Sequence, residues 1–349
     1  MNSLTDKYIN SLNFSPVHLS IMKKIGEHRG KQELFFRQTP EALDSLQHIA
    51  IIESSESSNR LEGITAPHKR VEGIVKKELK PENRSEQEIA GYRDALSLIH
   101  SSGEDVKFSV ETILQLHRII YNYMPEDGGK IKTTDNEIIE LNSDGSFKKV
   151  RFKPVPANKT KKALKNLEEN YIKSALENEI EALIVIPLTI LDFLCIHPFR
   201  DGNGRVARLI TLMLLYHFDY QVGRYISLER IFEESKQSYY ETLEISSKNW
   251  HKEKHNSFPW LNYFWGVLLK AYSELEDKVS NIRSGKGSKT DQIIAAVQRR
   301  IGPFAISDIE ADCPLISRDM IRVILRKLRD ERVIAVRGKG RGAKWIKEN

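Results

Sequence analysis

Within CIHPFRDGNGRVARL, residues 195–209, a histidine, a carboxylate, a Gly-Asn-Gly turn and two arginines fall close together. Gly202, Asn203 and Gly204 precede the apolar run RVARLITLMLLY. Free backbone N–H groups therefore gather at a helix N-terminus, where the dipole adds partial positive charge and an anion can sit. Arg205 falls in the first turn of that helix and Arg208 shares its face. Two guanidinium groups beside such a turn suit a polyphosphate. Asp201, at the mouth of the turn, would repel phosphates unless a hard cation such as Mg²⁺ lay between. His197, with an ordinary pKa of about 6.5, can take a proton from an incoming hydroxyl. Phe199 is expected to point into the core and hold the loop. Each feature alone has a plain structural use, a packed histidine or a solvated arginine pair, but the set together has few.

The elements that must position these residues are helical. Apolar periodicity predicts helices over 39–59, 84–100, 109–123, 158–176, 178–195, 203–217, 227–232, 235–247 and 257–281. Between 127 and 155, turn residues around Asp144-Gly145 and β-prone flanks predict a loop and a hairpin lying over the helical body. The stretch 180–196 is the most apolar, yet it carries Glu181, Asp192 and Pro187 and is short for a membrane span of roughly 20 residues. It reads as a buried core helix.

At 349 residues, with 40% hydrophobic content, the chain can bury a sizeable core. Cys195 and Cys313 stand far apart, without metal or redox spacing, which argues for a reducing compartment. The N-terminal residues lack a basic start followed by an apolar run, so a cytoplasmic location is expected, with no membrane partner. The net charge of +6 is uneven: from Lys286 onward 15 basic residues face 8 acidic ones, leaving −1 for the remainder. That module follows a Gly/Ser/Lys linker, RSGKGSKT. Helices are expected at 290–301, 305–311 and 317–330, then short strands VIAVR and AKWIK around Gly338-Lys339-Gly340-Arg341-Gly342, a pattern resembling a winged helix-turn-helix.

HPFRDGNGRVAR resembles the Fic family motif HPFx(D/E)GNGRxxR at every fixed position. The fold implied is mainly α: a Fic-type helical core with a β-hairpin flap, plus the C-terminal winged helix-turn-helix. The domains expected are an N-terminal helical region (1–83), a Fic core (84–282), a linker (283–289) and the winged-helix module (290–349). The resemblance implies a protein adenylyltransferase, moving AMP from ATP to a Ser, Thr or Tyr hydroxyl of a target protein and releasing pyrophosphate. By position His197 would be the base, Asp201 the Mg²⁺ ligand, Gly202, Asn203 and Gly204 the anion nest, Arg205 a phosphate contact and Arg208 the γ-phosphate contact. In the related Doc toxins, which phosphorylate, lysine replaces the second glycine; here it is Gly204, which favours nucleotidyl transfer.

Upstream, Ser58-Asn59-Arg60-Leu61-Glu62-Gly63 resembles the inhibitory pattern (S/T)xxxE(G/N), in which the glutamate pairs with the second motif arginine, here Arg208. Periodicity alone makes Glu62 an exposed charge at a helix end closed by Gly63. The hairpin occupies the position of the Fic flap, and Thr133, Thr134, Asn136 and Ile138 are candidates to touch target or nucleotide. KQSYYETLEISSKN, 236–249, resembles the helix lining the adenosine pocket, where Tyr240 could meet the nucleoside; Tyr239 and Tyr240 could equally be core residues. Ser247 stands where many relatives have asparagine, which leaves the preference for ATP open. Arg318, Arg322, Arg326 and Arg329 form a basic stripe suited to nucleic acid, or a solvated face on a protein-docking module. Two other readings stand beside transfer: a nucleic-acid-binding regulator sensing nucleotide, and removal of AMP from a modified target with Glu62 positioning water. Self-modification and a homodimer also stay open.

Overall fold

The computed structural model describes residues 3–38, 40–126, 128–141, 146–283, 289–300, 302–314, 316–338 and 344–347. Its helices run α1 (Asp6–Ile9), α2 (Pro16–Gln38), α3 (Pro40–Leu61), α4 (His68–Val75), α5 (Arg84–Ser102) and α6 (Val110–Ile120). A hairpin of β1 (Ile138–Leu141) and β2 (Phe147–Phe152) precedes α7 (Ala157–Ile172), α8 (Ala182–Ile196) and α9 (Asn203–His217). Then come α10 (Leu228–Glu234), α11 (Lys236–Ser247), α12 (Phe258–Arg283), α13 (Lys289–Gln298), α14 (Ile306–Asp312), α15 (Arg318–Asp330), β3 (Ile334–Arg337) and β4 (Lys344–Lys347). The chain divides into two compact units, one of Met1–Leu34 with Gln47–Glu274, the other of Phe35–Leu46 with Leu275–Asn349.

In the first unit several helices start at side-chain caps: Asn83, Ser109 and Ser227 accept from the N–H groups of Glu86, Thr112 and Arg230. The centre is α8, buried on nearly every side. Pro187 removes one N–H from that helix and so frees the carbonyl of Leu183. The indole N–H of Trp265 occupies it at 2.8 Å, and that of Trp260 donates to the carbonyl of Pro187 at 2.8 Å. Expected to begin at 178, α8 starts at Ala182, because a π-turn (Lys173–Glu177) and a left-handed Glu179 (φ 49°) interrupt the chain, and Glu181 then caps Leu183. At Gly91, α5 and α6 come so close that a Cβ would lie 1.9 Å from the carbonyl oxygen of Ile120. The hairpin is antiparallel, pairing Ile139 with Val150 and Glu140 with Lys149. The expected turn at Asp144-Gly145 lies outside the described residues.

Asp192 of α8 is buried with its carboxylate accepting from the Ser3 N–H (2.7 Å), the Ser3 hydroxyl (2.5 Å) and the Trp250 indole (2.6 Å). Burial nevertheless raises its pKa to about 6, against the lowering effect of those donors. The folded state then holds a proton that the unfolded chain has released between about pH 4 and 6, so this group's contribution to stability falls as pH rises through that window. Asp192→Asn, which stays neutral, should gain stability relative to wild type as pH rises from 4 to 7. Urea denaturation of both proteins across that range checks this; a pH-independent difference would refute it.

In the second unit α13, α14 and α15 enclose Ile293, Val297, Ile309, Ile321 and Leu325, and the hairpin of β3 and β4 adds Ile334 and Trp345. Phe304 and Trp345 exchange backbone hydrogen bonds of 2.8 and 2.7 Å. Ser317 caps α15. Arg318, Arg322, Arg326 and Arg329 are exposed; three of them pair with Glu310, Asp319 and Asp330. The linker residues 284–288 and the expected basic turn at 339–343 lie outside the described residues.

Candidate active site

His197 closes α8 in the left-handed conformation (φ 51°, ψ 62°), its N–H donating to the carbonyl of Phe193 at 2.9 Å. The following proline disfavours the helical region at this position, which makes it a natural stop. The chain then folds into the turn that opens α9. Asn203 fastens this turn through both ends of its amide, accepting from the Phe199 N–H and donating to the Phe199 carbonyl, each at 2.9 Å. Phe199 is buried, as expected, and the ring of His117 stacks on it at 3.7 Å.

His197 Nδ1 lies 3.2 Å from the carbonyl of Leu194, a bond that needs the proton on Nδ1 and leaves the Nε2 lone pair free. Burial lowers the imidazole pKa to about 4, and the Lys132 ammonium acts in the same direction; the Leu194 bond, Glu62 and Asp201 oppose them. His197 is therefore neutral, in the form of a base, at pH 7.

It faces a cavity of about 260 Å³. Gly204, Arg208, Glu62, Tyr240 and Ser247 share that lining, with Ile138, Arg151 and Phe152 of the hairpin on another side. Arg208 is buried, its Nε donating to the Ser58 hydroxyl at 2.8 Å and its Nη2 to the Ser58 carbonyl (2.8 Å) and Glu62 Oε1 (2.7 Å). Its Nη1 is buried with no hydrogen bond of good geometry among the described residues. Glu62 follows the last turn of α3, where Gly63 (φ 81°) makes the expected left-handed closure. The carboxylate presses against the first turn of α9, since a Cβ on Gly204 would lie 2.1 Å from Glu62 Oε1. Glu62 is thus paired where periodicity alone made it a solvated charge.

Arg205 and Arg208 diverge. Arg205 is buried and absent from the cavity lining. Its Nη1 lies 2.7 Å from Glu88, its Nη2 donates to the Tyr121 hydroxyl at 2.8 Å, and its guanidinium lies 5.2 Å from the centre of the Tyr121 ring. Tyr121 in turn donates to Asp201 Oδ2 at 3.0 Å, so the reach of Arg205 toward the turn runs through Asp201. Asp201 is exposed, its other oxygen accepting from the Gly202 N–H at 2.6 Å.

Tyr240 donates to the carbonyl of Leu61 at 3.1 Å and lends its ring to the cavity, while Tyr239 is more deeply buried. Ile138 reaches the cavity; Thr133 and Thr134 are exposed and do not line it. Asn136 turns inward to the Phe199 carbonyl at 3.2 Å. His117, Tyr121, Glu88 and Lys132 escaped sequence reading, for each looks like an ordinary polar residue far from the motif.

Residues 107–215 match a family model described as Fic/DOC family. A segment of 136 residues is 26% identical to "Protein adenylyltransferase fic-1" of Caenorhabditis elegans, covering 38% of this chain and 24% of that protein. The chain thus spans about a quarter of the length of that curated relative. Among solved structures, a Fic family protein from Desulfovibrio desulfuricans superposes with a TM-score of 0.61 over 97% of each chain at 18% identity. Fic-1 of C. elegans superposes with a TM-score of 0.59 over 76% of this chain and 73% of that one, also at 18% identity. Residues 107–215 thus resemble a Fic/DOC domain, and the chain has the mainly helical fold of those solved Fic proteins.

Proposed function

We propose that this protein is an adenylyltransferase that moves AMP from ATP to a side-chain hydroxyl of a target protein and is held in check by its own Glu62. The observation that carries the reading is one cavity shared by a neutral His197 and an Arg208 whose guanidinium is engaged by Glu62. The target hydroxyl oxygen attacks the α-phosphorus, its proton passes to His197 Nε2, and the bond to the bridging oxygen breaks to release pyrophosphate. The first turn of α9 offers N–H groups to phosphate oxygens, and Arg208 takes the γ-phosphate once Glu62 leaves it.

Asp201 suits a divalent cation of the kind that nucleotides bring, because Mg²⁺ is commonly held by one or two carboxylates plus substrate phosphates. No group of three or more His, Cys, Asp or Glu able to hold a metal occurs among the described residues, so the nucleotide would supply the remaining ligands. Bound there, Mg²⁺ would neutralise phosphate charge. Arg205, locked to Glu88 and Tyr121, keeps the Asp201 carboxylate aimed.

The exposed arginines of α15 favour a second role for residues 290–349, a winged helix-turn-helix selecting a partner or nucleic acid. No helix among the described residues is long and apolar enough to cross a membrane. Incubation of the Glu62→Gly protein with ATP labelled at the α- or the γ-phosphate tests the reading. Label from the α position alone is expected; label from the γ position would make the enzyme a phosphotransferase.

A further inference from the structure

The segment between α6 and the hairpin grips the His197 loop at successive carbonyls. The backbone N–H of Lys132 donates to the Pro198 carbonyl at 2.9 Å, its Nζ to the Ile196 carbonyl at 3.3 Å, and Asn136 Nδ2 to the Phe199 carbonyl at 3.2 Å. The two side chains are joined, Lys132 Nζ donating to Asn136 Oδ1 at 2.8 Å. The carbonyls before and after the left-handed His197 are thus held by one pair of residues, and Lys132 is buried to do it. Burial lowers the Lys132 pKa to about 8, with the Asp135 carboxylate opposing, so the ammonium is mostly retained at pH 7 at a cost that a purely structural tie does not need. An apolar side chain with a backbone bond alone would hold the loop more cheaply.

We propose that Lys132 and Asn136 are positioning residues for the transfer reaction, fixing His197 with Nε2 toward the cavity and keeping a positive charge beside its ring. This rests on the adenylyltransferase reading, in which His197 accepts the target's proton. Neither residue lines the cavity, so the pair acts on the reacting atoms through His197, by the loop that holds it and by the Lys132 charge. The charged groups acting on His197 are Lys132, Glu62 of the inhibitory segment and Asp201 of the motif turn. Lys132 is the one among them that disfavours the imidazolium. Its removal therefore lets His197 protonate at higher pH, and the acid limb of the rate profile moves up.

The test uses the full chain in the Glu62→Gly background with Lys132→Met, Lys132→Arg and Asn136→Ala. Lys132→Met is expected to lower kcat about tenfold with KM for ATP nearly unchanged, because misplacing a catalytic group slows chemistry without loosening nucleotide. Lys132→Arg should restore much of the loss and return the acid limb toward its parent position. ¹³C-labelled histidine spectra, with His197 assigned by its disappearance in His197→Gln, should show the imidazole titrating at higher pH in Lys132→Met. An unmoved titration, or a loss carried wholly by KM, would overturn the proposal. If Lys132→Met does not fold, Asn136→Ala decides, with the same kcat loss expected and parental kcat sinking the clamp. If the Glu62→Gly parent transfers no AMP, the adenylyltransferase reading falls, and the imidazole titration alone decides whether Lys132 sets His197.

Discussion

His197→Ala, made in the Glu62→Gly background, should lower AMP transfer by about 10² to 10⁴-fold, the usual contribution of a positioned general base, while ATP binding survives. The imidazole is partly buried at the end of α8 with Nδ1 bound to Leu194 and Nε2 left to the cavity, and phosphate would be held elsewhere, by α9 and Arg208. The loss therefore belongs in kcat. With the free imidazole pKa near 4, kcat/KM should stay flat downward from neutrality and fall only as that value is approached. Single-turnover transfer with α-labelled ATP, alongside nucleotide binding by calorimetry, separates the two quantities. A variant that binds no ATP, or one that transfers at the parental rate, would remove His197 from the role of base.

Glu62→Gly should raise transfer by about 10- to 150-fold, the range spanned by one charged hydrogen bond of about 1.5–3 kcal/mol. Glu62 holds Arg208 Nη2 at 2.7 Å and lies against Gly204, on the ground that the proposed reading gives to an incoming γ-phosphate. Removing the carboxylate leaves Arg208 supported by both the hydroxyl and the carbonyl of Ser58, so the guanidinium should keep its place. Glu62→Gln, which keeps length and loses charge, should fall between parent and glycine. Equal transfer by wild type and Glu62→Gly would show that this contact does not restrain the enzyme.

The motif stretch was legible because its residues are neighbours in sequence and their types are unusual together. Several of the longer helices were legible too: α9 spans the expected 203–217, and α5, α11 and α12 differ only at their ends. Legibility failed where long-range packing decides. Pro16–Gln38 carries two internal glycines and leaves Val17, Leu19 and Leu34 exposed, so nothing singled it out as one helix. The divergence of Arg205 from Arg208 depends on Glu88 and Tyr121, which come from α5 and the end of α6. Both arginines looked alike on one helix face. Asn136 read as a candidate to touch target or nucleotide because the Phe199 carbonyl it meets is 63 positions away.

Three of the four tryptophans, Trp250, Trp260 and Trp265, bury their rings and direct their indole N–H groups at one helix, to Asp192, Pro187 and Leu183 of α8. The remaining one, Trp345, belongs to the other compact unit. The intrinsic emission of a Trp345→Phe protein is therefore an optical gauge of α8, the helix that ends in His197. Loosening of α8 wets all three indoles together and shifts their emission to longer wavelength, whereas release of Glu62 alone leaves the colour of the fluorescence where it was.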